Sequence, residues 1–278
     1  MSTISWPLLV GTHLDASEVA TAWDIPVLPG SDLRASSLAV PDRPQIVPRR
    51  RRRRARRPTS LVERHLAEGR PLVAPAGNPS AGYRALKRGL DIAGALVLLA
   101  LLGPLMLAIY LVLLVTTRGK PLFWQVRAGY LGRPFRMAKF RTMRLDAERV
   151  KAAVANQAAG PVFKNRRDPR VTRLGWWLRK TSLDETPQVF HVLWGQMSLV
   201  GPRPLAVREG ARFAAWQRRR LAVVPGLTGL GQVSGRSDVG FEDWVRMDLR
   251  YVRTQGLWTD CKLLLRTPWS VLCCRGAY

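Results

Sequence analysis

Apolar and charged positions are segregated along the chain, and the longest apolar stretch organises it. From Ile92 to Val115, 24 residues carry no charge, between Asp91 and Arg118. As a straight helix this stretch measures roughly 36 Å, enough to cross a hydrocarbon core of about 30 Å. A helix buried in a water-soluble domain is rarely apolar all round for so long, so the segment is expected to enter a membrane. Gly103-Pro104 falls at its middle, where Pro104 cannot donate to the Ala100 carbonyl and predicts a kink. Basic residues flank both ends: Arg84, Lys87 and Arg88 before, and Arg118, Lys120, Arg127 and Arg133 after. That symmetry leaves the positive-inside rule nothing to orient. A re-entrant helix–break–helix with its apex near Pro104 removes the conflict; an ordinary span kinked at the proline is the alternative.

Beyond Lys120 the pattern changes to short elements. Pro121–Val126 and Phe135–Arg141 read as strands separated by a turn over Gly129–Pro134. Asp168-Pro169 predicts a helix start, with Asp168 as N-cap and Val171, Leu174 and Leu178 on one face. Thr186 is a candidate N-cap for a second helix over Pro187–Trp194, and Gly195 lies past its end. Phe241–Tyr251 and Trp258–Leu265 are further helical candidates. The expected fold is α+β and mostly helical. A poorly ordered basic tail occupies 1–80, the re-entrant hairpin 81–119, and a small domain with amphipathic helices 120–278.

Composition narrows the partners. The chain has 278 residues, 47% of them hydrophobic, and a net charge of +26, so it can bury a core and is not a disordered polycation. The charge suits nucleic acid, an anionic lipid surface or phosphorylated substrates. Arg49–Arg54, Arg56 and Arg57 place eight arginines in nine positions; they suit an anionic-lipid anchor or a solvated basic run equally well. The first 40 residues lack a basic n-region followed by an apolar core, so no signal peptide is expected. Three cysteines, two of them adjacent, argue against a disulfide framework. The three histidines have no metal-ligand spacing. Trp258 and Trp269 suit a membrane–water interface; Trp176, Trp177 and Trp194 suit either an interface or a core.

The candidate chemistry sits in Ser182-Leu183-Asp184-Glu185-Thr186-Pro187-Gln188. Two neighbouring carboxylates before a helix, in a basic domain, can divide the work of attacking phosphorus and holding a divalent cation. The same residues fit a capping box, S-x-x-E, with no chemistry at all. Gly201-Pro202-Arg203-Pro204 offers one guanidinium on a stiff loop, suited to bidentate phosphate binding. Pro225-Gly226-Leu227-Thr228-Gly229 and Gly231–Arg236 are Gly-rich loops whose backbone could approach a ligand closely.

In this order, the blocks resemble the bacterial sugar transferases, the monotopic phosphoglycosyl transferases that begin exopolysaccharide and O-antigen units. The resemblance runs from about Lys87 to the C-terminus. It is carried by Lys87-Arg88-x-x-Asp91, Lys139-Phe140-Arg141-Thr142-Met143 and Asp168-Pro169-Arg170, and by Arg179 to Gln188, Met197 to Pro204 and Pro225 to Gly229. Residues 1–80 have no counterpart in it. It implies transfer of a hexose 1-phosphate from a UDP-sugar to polyprenyl (undecaprenyl) phosphate through a phosphosugar-aspartyl intermediate, with release of UMP. It makes Asp184 the nucleophile and Glu185 the Mg2+ ligand. Arg203 becomes a phosphate contact, Lys139, Arg141 and Asp168 become site members, and Pro104 marks the membrane break. The catalytic domain is then expected on the cytoplasmic face of the bacterial inner membrane. Anionic membrane lipid is an expected partner, a homo-oligomer is allowed, and glucose or galactose is the favoured sugar.

The chain departs from the family pattern at Gly103, where serine is frequent. It departs again at His191 for Asn and at Gln196 for an acidic residue; loss of the latter could lower metal affinity. The competing reading is a membrane-tethered binding protein without catalysis, which leaves the Asp-Glu pair and the ordered loops without a purpose. Residues 1–86 carry 13 basic and 7 acidic side chains, a net +6, against 32 and 12, a net +20, in residues 87–278. The excess therefore lies with the apolar segment and the domain after it, and nucleic acid is not a needed partner.

Overall fold

The computed structural model of the chain describes residues 72–73, 80–157, 163, 165, 167–210, 212–235 and 239–272. The arginine run and nearly all of the expected tail lie outside the described residues. The exceptions at its end are tied down: the Leu72 amide donates to the Leu131 carbonyl, and Leu72 and Val73 pack against Ala128, Val207 and Leu221.

Helix α1 (Ala81–Thr116) opens on Ser80, whose Oγ accepts the Tyr83 amide at 3.1 Å. It is one helix of 36 residues that continues through Gly103 and Pro104, where a break between two helices was expected. Its best 18-residue window has a mean hydropathy of 2.7, long and apolar enough to cross a membrane. Ala95, Met106 and Leu113 are buried, with Leu98, Leu99, Leu102 and Ile109 partly so. Leu96, Val97, Leu101, Leu105, Leu107 and Leu111 on the rest of the circumference are exposed. Arg118 and Gly119, both with left-handed backbone, turn the chain into the first strand.

The strands β1 (Leu122–Ala128) and β2 (Pro134–Phe140) form the expected hairpin, in register from Leu122 opposite Phe140 to Ala128 opposite Pro134. Helix α2 (Arg173–Lys180) begins later than expected, because Thr172 takes the Gly175 amide as N-cap. Asp168 is not that cap; it accepts the Arg170 amide and grips the Arg170 guanidinium instead. A 3-10 helix (Leu183–Gln188) then leads into α3 (Val189–Leu193). Thr186 does not cap it, since its hydroxyl donates back to the Leu183 carbonyl.

Two further strands follow, the second inside the Pro225–Gly229 stretch that the sequence reads as a loop. β3 (Ser198–Val200) pairs in parallel with β4 (Gly226–Thr228), and the crossover between them carries α4 (Val207–Gly210), α5 (Ala215–Arg218) and a 3-10 turn (Arg219–Ala222). The glycines here serve the protein's own backbone: a Cβ on Gly226 would overlap Gly201, and one on Gly201 would meet the Val224 carbonyl. Helices α6 (Leu230–Val233), α7 (Phe241–Thr254) and α8 (Leu257–Leu272) complete the order, the last two longer than expected. One apolar core gathers Phe135, Met137 and Phe140 of β2, Leu178, Val189, Val192, Leu199, Tyr251 and Leu263. Trp258 and Trp269 of α8 are 72% and 73% exposed, and Trp176, Trp177 and Trp194 also face outward rather than filling the core.

Candidate active site

Ser182 adopts a left-handed backbone, φ 59°, and so starts the 3-10 helix abruptly after α2. A β-carbon in that region is strained, which makes the turn a committed one. The tight 3-10 winding brings Asp184 and Glu185 against the face of the β1–β2 hairpin. Strand alternation puts Met137 and Lys139 on one face, and the register adds their partners Gln125 and Phe123, with Arg127 opposite Phe135. Arg127 and Lys139 thus arrive together beneath the two carboxylates.

The capping-box alternative is absent. Ser182 makes no side-chain cap, and Glu185 reaches across to the loop after β3. There the Arg203 guanidinium takes both of its oxygens, Nη1 donating to Oε2 at 2.9 Å and Nη2 to Oε1. The fork read as a phosphate clamp is therefore closed on a carboxylate. Arg179, in the last turn of α2, donates through Nε to the Thr142 hydroxyl at 2.9 Å. Arg127 donates to the Pro204 carbonyl at 3.1 Å and the Gln125 amide oxygen at 2.6 Å.

This packing splits the two carboxyls. Burial and the neighbouring Glu185 charge raise Asp184 from 3.8 to about 6, against the pull of Lys139, Arg179 and Arg203. Burial acts on Glu185 in the same sense, but the Arg203 charge and hydrogen bonds, with Lys139 and Arg127, outweigh it and hold Glu185 at about 2. Burial and the Arg127 charge lower Lys139 to about 8, with Asp184 and Glu185 opposing. Near neutral pH the site holds two carboxylates facing Lys139, Arg127, Arg179 and Arg203.

Of the residues expected in the site, Asp184, Glu185, Lys139 and Arg203 come together. Arg141 does not: it folds back to donate to the Lys120 and Leu122 carbonyls and lies over Phe123. Asp168 is spent on its buried pair with Arg170 and reaches the site only through its field on Arg179. Arg127 and Arg179 join the site without a local signal for that role; Arg179 stands in the block before Asp184, whereas Arg127 becomes visible only through strand register. His191 and Gln196 are a local pair. His191 Nε2 accepts the Ala138 amide at 3.0 Å on the free edge of β2, and Nδ1 meets Gln196 Oε1 at 2.6 Å. Gln196 is thus engaged away from the carboxylates.

The family model described as bacterial sugar transferase matches residues 82–274. The chain belongs to that family.

Relatives include the galactosyl transferase CpsE of Streptococcus agalactiae, 46% identical over 69% of this chain and 43% of that protein. The undecaprenyl-phosphate galactose phosphotransferase of Salmonella typhimurium is 43% identical over 70% of this chain and 42% of its own length. The UDP-glucose:undecaprenyl-phosphate glucose-1-phosphate transferase of Caulobacter vibrioides is 40% identical over 69% of this chain and 72% of its own. The chain thus matches well under half the length of the first two.

For a member of this family the donor set suits Mg2+ in one particular way. No group of three or more acidic, His or Cys ligands exists among the described residues, so those residues form no all-protein cage. Asp184 and Glu185 could supply the one or two carboxylates by which Mg2+ is ordinarily held beside substrate phosphates. Each Glu185 oxygen accepts one Arg203 N–H and keeps a lone pair free.

Proposed function

We propose that this chain transfers a hexose 1-phosphate from a UDP-sugar to polyprenyl phosphate, of the undecaprenyl type, in the first membrane step of exopolysaccharide or O-antigen synthesis. The observation that carries this reading is the Asp184–Glu185 pair, set among four cations and divided into a carboxyl near 6 and one near 2. Such a pair gives one carboxylate basic enough to attack phosphorus and one that stays ionised throughout.

Asp184 attacks the sugar-linked phosphorus, the bond between the two phosphates breaks, and UMP leaves with the bridging oxygen. The phosphosugar is then held as a mixed anhydride on Asp184. An oxygen of the polyprenyl phosphate attacks the same phosphorus, and the Asp184 carboxylate is restored. Lys139, Arg127 and Arg179 offset the phosphate charge, and Arg203 holds Glu185 in place while it faces the substrate. Mg2+ held at Glu185, with Asp184 alongside, would supply charge neutralisation for the diphosphate. UDP-galactose and UDP-glucose are the first substrates to try, because the relatives' names carry galactose and UDP-glucose.

The acceptor explains the apolar helix. Ala95 and Leu113 of α1 join one apolar cluster with the domain, although a straight helix would set them roughly 27 Å apart. Both halves of α1 thereby share one apolar cluster with the domain, which supports entry and return on one membrane face, with α1 bending at Pro104 rather than breaking into two helices. UDP-sugars are cytosolic, so that face is the cytoplasmic side of a bacterial inner membrane. The exposed Trp176, Trp177, Trp258 and Trp269 suit its surface, and Lys180, Nζ 4.7 Å over Trp176, adds charge for anionic lipid.

The test uses the full chain in nanodiscs with undecaprenyl phosphate, Mg2+ and radiolabelled UDP-hexose. The expected products are UMP and a labelled lipid, with turnover lost on EDTA addition. Without acceptor, label should remain on the protein. UDP as the nucleotide product would mean that sugar rather than sugar phosphate moves, and no nucleotide release from any UDP-sugar would favour the binding-protein alternative.

A further inference from the structure

Arg203 sits in a segment held with unusual thoroughness. Four consecutive carbonyls each accept a hydrogen bond from a different part of the chain. Pro202 takes the Gly226 amide at 2.9 Å, Arg203 takes Arg220 Nη2 at 2.9 Å, Pro204 takes Arg127 Nη1 at 3.1 Å, and Leu205 takes the Ala128 amide at 2.9 Å. Two of these donors are strand amides. One of the other two, Arg220, does nothing at the carboxylates themselves.

Arg220 lies in the 3-10 turn after α5, and its partner Asp248 lies on α7. Both side chains are 1% exposed. Nε and Nη2 of Arg220 converge on Asp248 Oδ2, and the guanidinium lies 5.1 Å over the Trp244 ring, which fills the space left open at Gly231. Arg220 Nη1 and Asp248 Oδ1 have no hydrogen-bond partner among the described residues. A buried ion pair left half satisfied is a poor stabiliser; apolar residues of similar volume often serve as well or better. Its distinctive product is the bond to the Arg203 carbonyl.

We propose that the Arg220–Asp248 pair is a positioning device for Arg203: by fixing that carbonyl it sets the direction in which the Arg203 guanidinium leaves the backbone, and so its fork on Glu185. Asp248 aligns Arg220, Arg220 aligns the Arg203 peptide, and Arg203 aligns Glu185. Neither Arg220 nor Asp248 touches substrate. The kinetic part of the test rests on the transferase reading; the thermal part does not.

The test is a mutant cycle on the full chain in nanodiscs. Arg220→Met should lower kcat about 100-fold, as misplacement of a distant support can. In an Arg203→Met background the same change should cost less than about twofold, whereas independent contributions would multiply. The loss should fall on kcat and leave KM for the UDP-sugar within about twofold, the pattern of an interaction made in the transition state. Arg220→Met leaves Asp248 buried and unpaired, so Arg220→Met/Asp248→Leu is the companion variant. It should unfold within a few degrees of wild type and still turn over slowly; wild-type kcat in that variant overturns the proposal. Unfolding midpoints for Arg203→Met, Arg220→Met and the double variant give a second cycle that needs no activity. If wild type releases no UMP, the functional reading fails and this cycle decides alone. Non-additive midpoints support positioning, and additive ones refute it.

Discussion

Replacing Asp184 with Asn removes a charge that the fold holds unfavourably. The residue is 6% exposed, and its carboxyl rises from 3.8 in an unfolded chain to about 6 in the folded one. Between those values the folded state binds the proton more tightly, so stability falls as pH rises from about 3.8 to about 6 and is level above that. At ~1.36 kcal/mol per pH unit the burden at pH 8 is about 3 kcal/mol. Lys139, already lowered to about 8, loses one of its two facing anions in the variant. That attraction already opposes the rise of Asp184 to about 6, so it is counted within the about 3 kcal/mol and not again. For a domain of this size each kcal/mol moves the midpoint by about 2–4 °C, so Asp184→Asn should unfold up to about 6–12 °C higher at pH 8. The gain should disappear near pH 4, and turnover and the covalent adduct should both be lost. Thermal scans in nanodiscs at pH 4, 6 and 8, alongside the UMP assay, measure all of this. An unchanged or lower midpoint at pH 8 would refute the reasoning, as would a gain of equal size at pH 4, since either result removes charge burial as the cause.

His191→Phe leaves the Ala138 amide and Gln196 Oε1 without their partner and should cost about 1–3 kcal/mol in denaturant unfolding. Burial lowers the His191 pKa, opposed by Gln196, so wild type should lose stability as pH falls below about 6.5 while His191→Phe loses less over that window. Gly226→Ala forces a Cβ into the Gly201 backbone and should cost several kcal/mol, seen as a lower midpoint and poor recovery of folded protein.

How much of the site was legible depended on how each residue is held. Asp184, Glu185, Arg203 and Lys139 stand in short local blocks, and residue type with order along the chain was enough to nominate them. Arg141 and Asp168 stand in equally suggestive blocks, yet nearby partners occupy them: the Lys120 and Leu122 carbonyls for one, the Arg170 guanidinium for the other. Sequence order does not say whether a polar side chain is satisfied locally. Arg127 is the reverse case, a flanking basic residue by position and a site residue by strand register.

The sequence by itself determined the long apolar helix, the hairpin after it, the two C-terminal helices and the carboxylate pair, because each depends on composition or periodicity within a short window. Only the tertiary structure decided that α1 continues through Pro104, that Thr172 rather than Asp168 starts α2, and that of the two Gly-rich stretches one holds a parallel strand packed on the Gly201 backbone and the other a short helix. It alone also decided which partner each charge received. Pairing Glu185 with Arg203, and Arg220 with Asp248 and the Arg203 carbonyl, joins residues 18, 28 and 17 positions apart. Those distances close only when the strands and helices pack, and the same closure splits two adjacent carboxyls into one near 6 and one near 2.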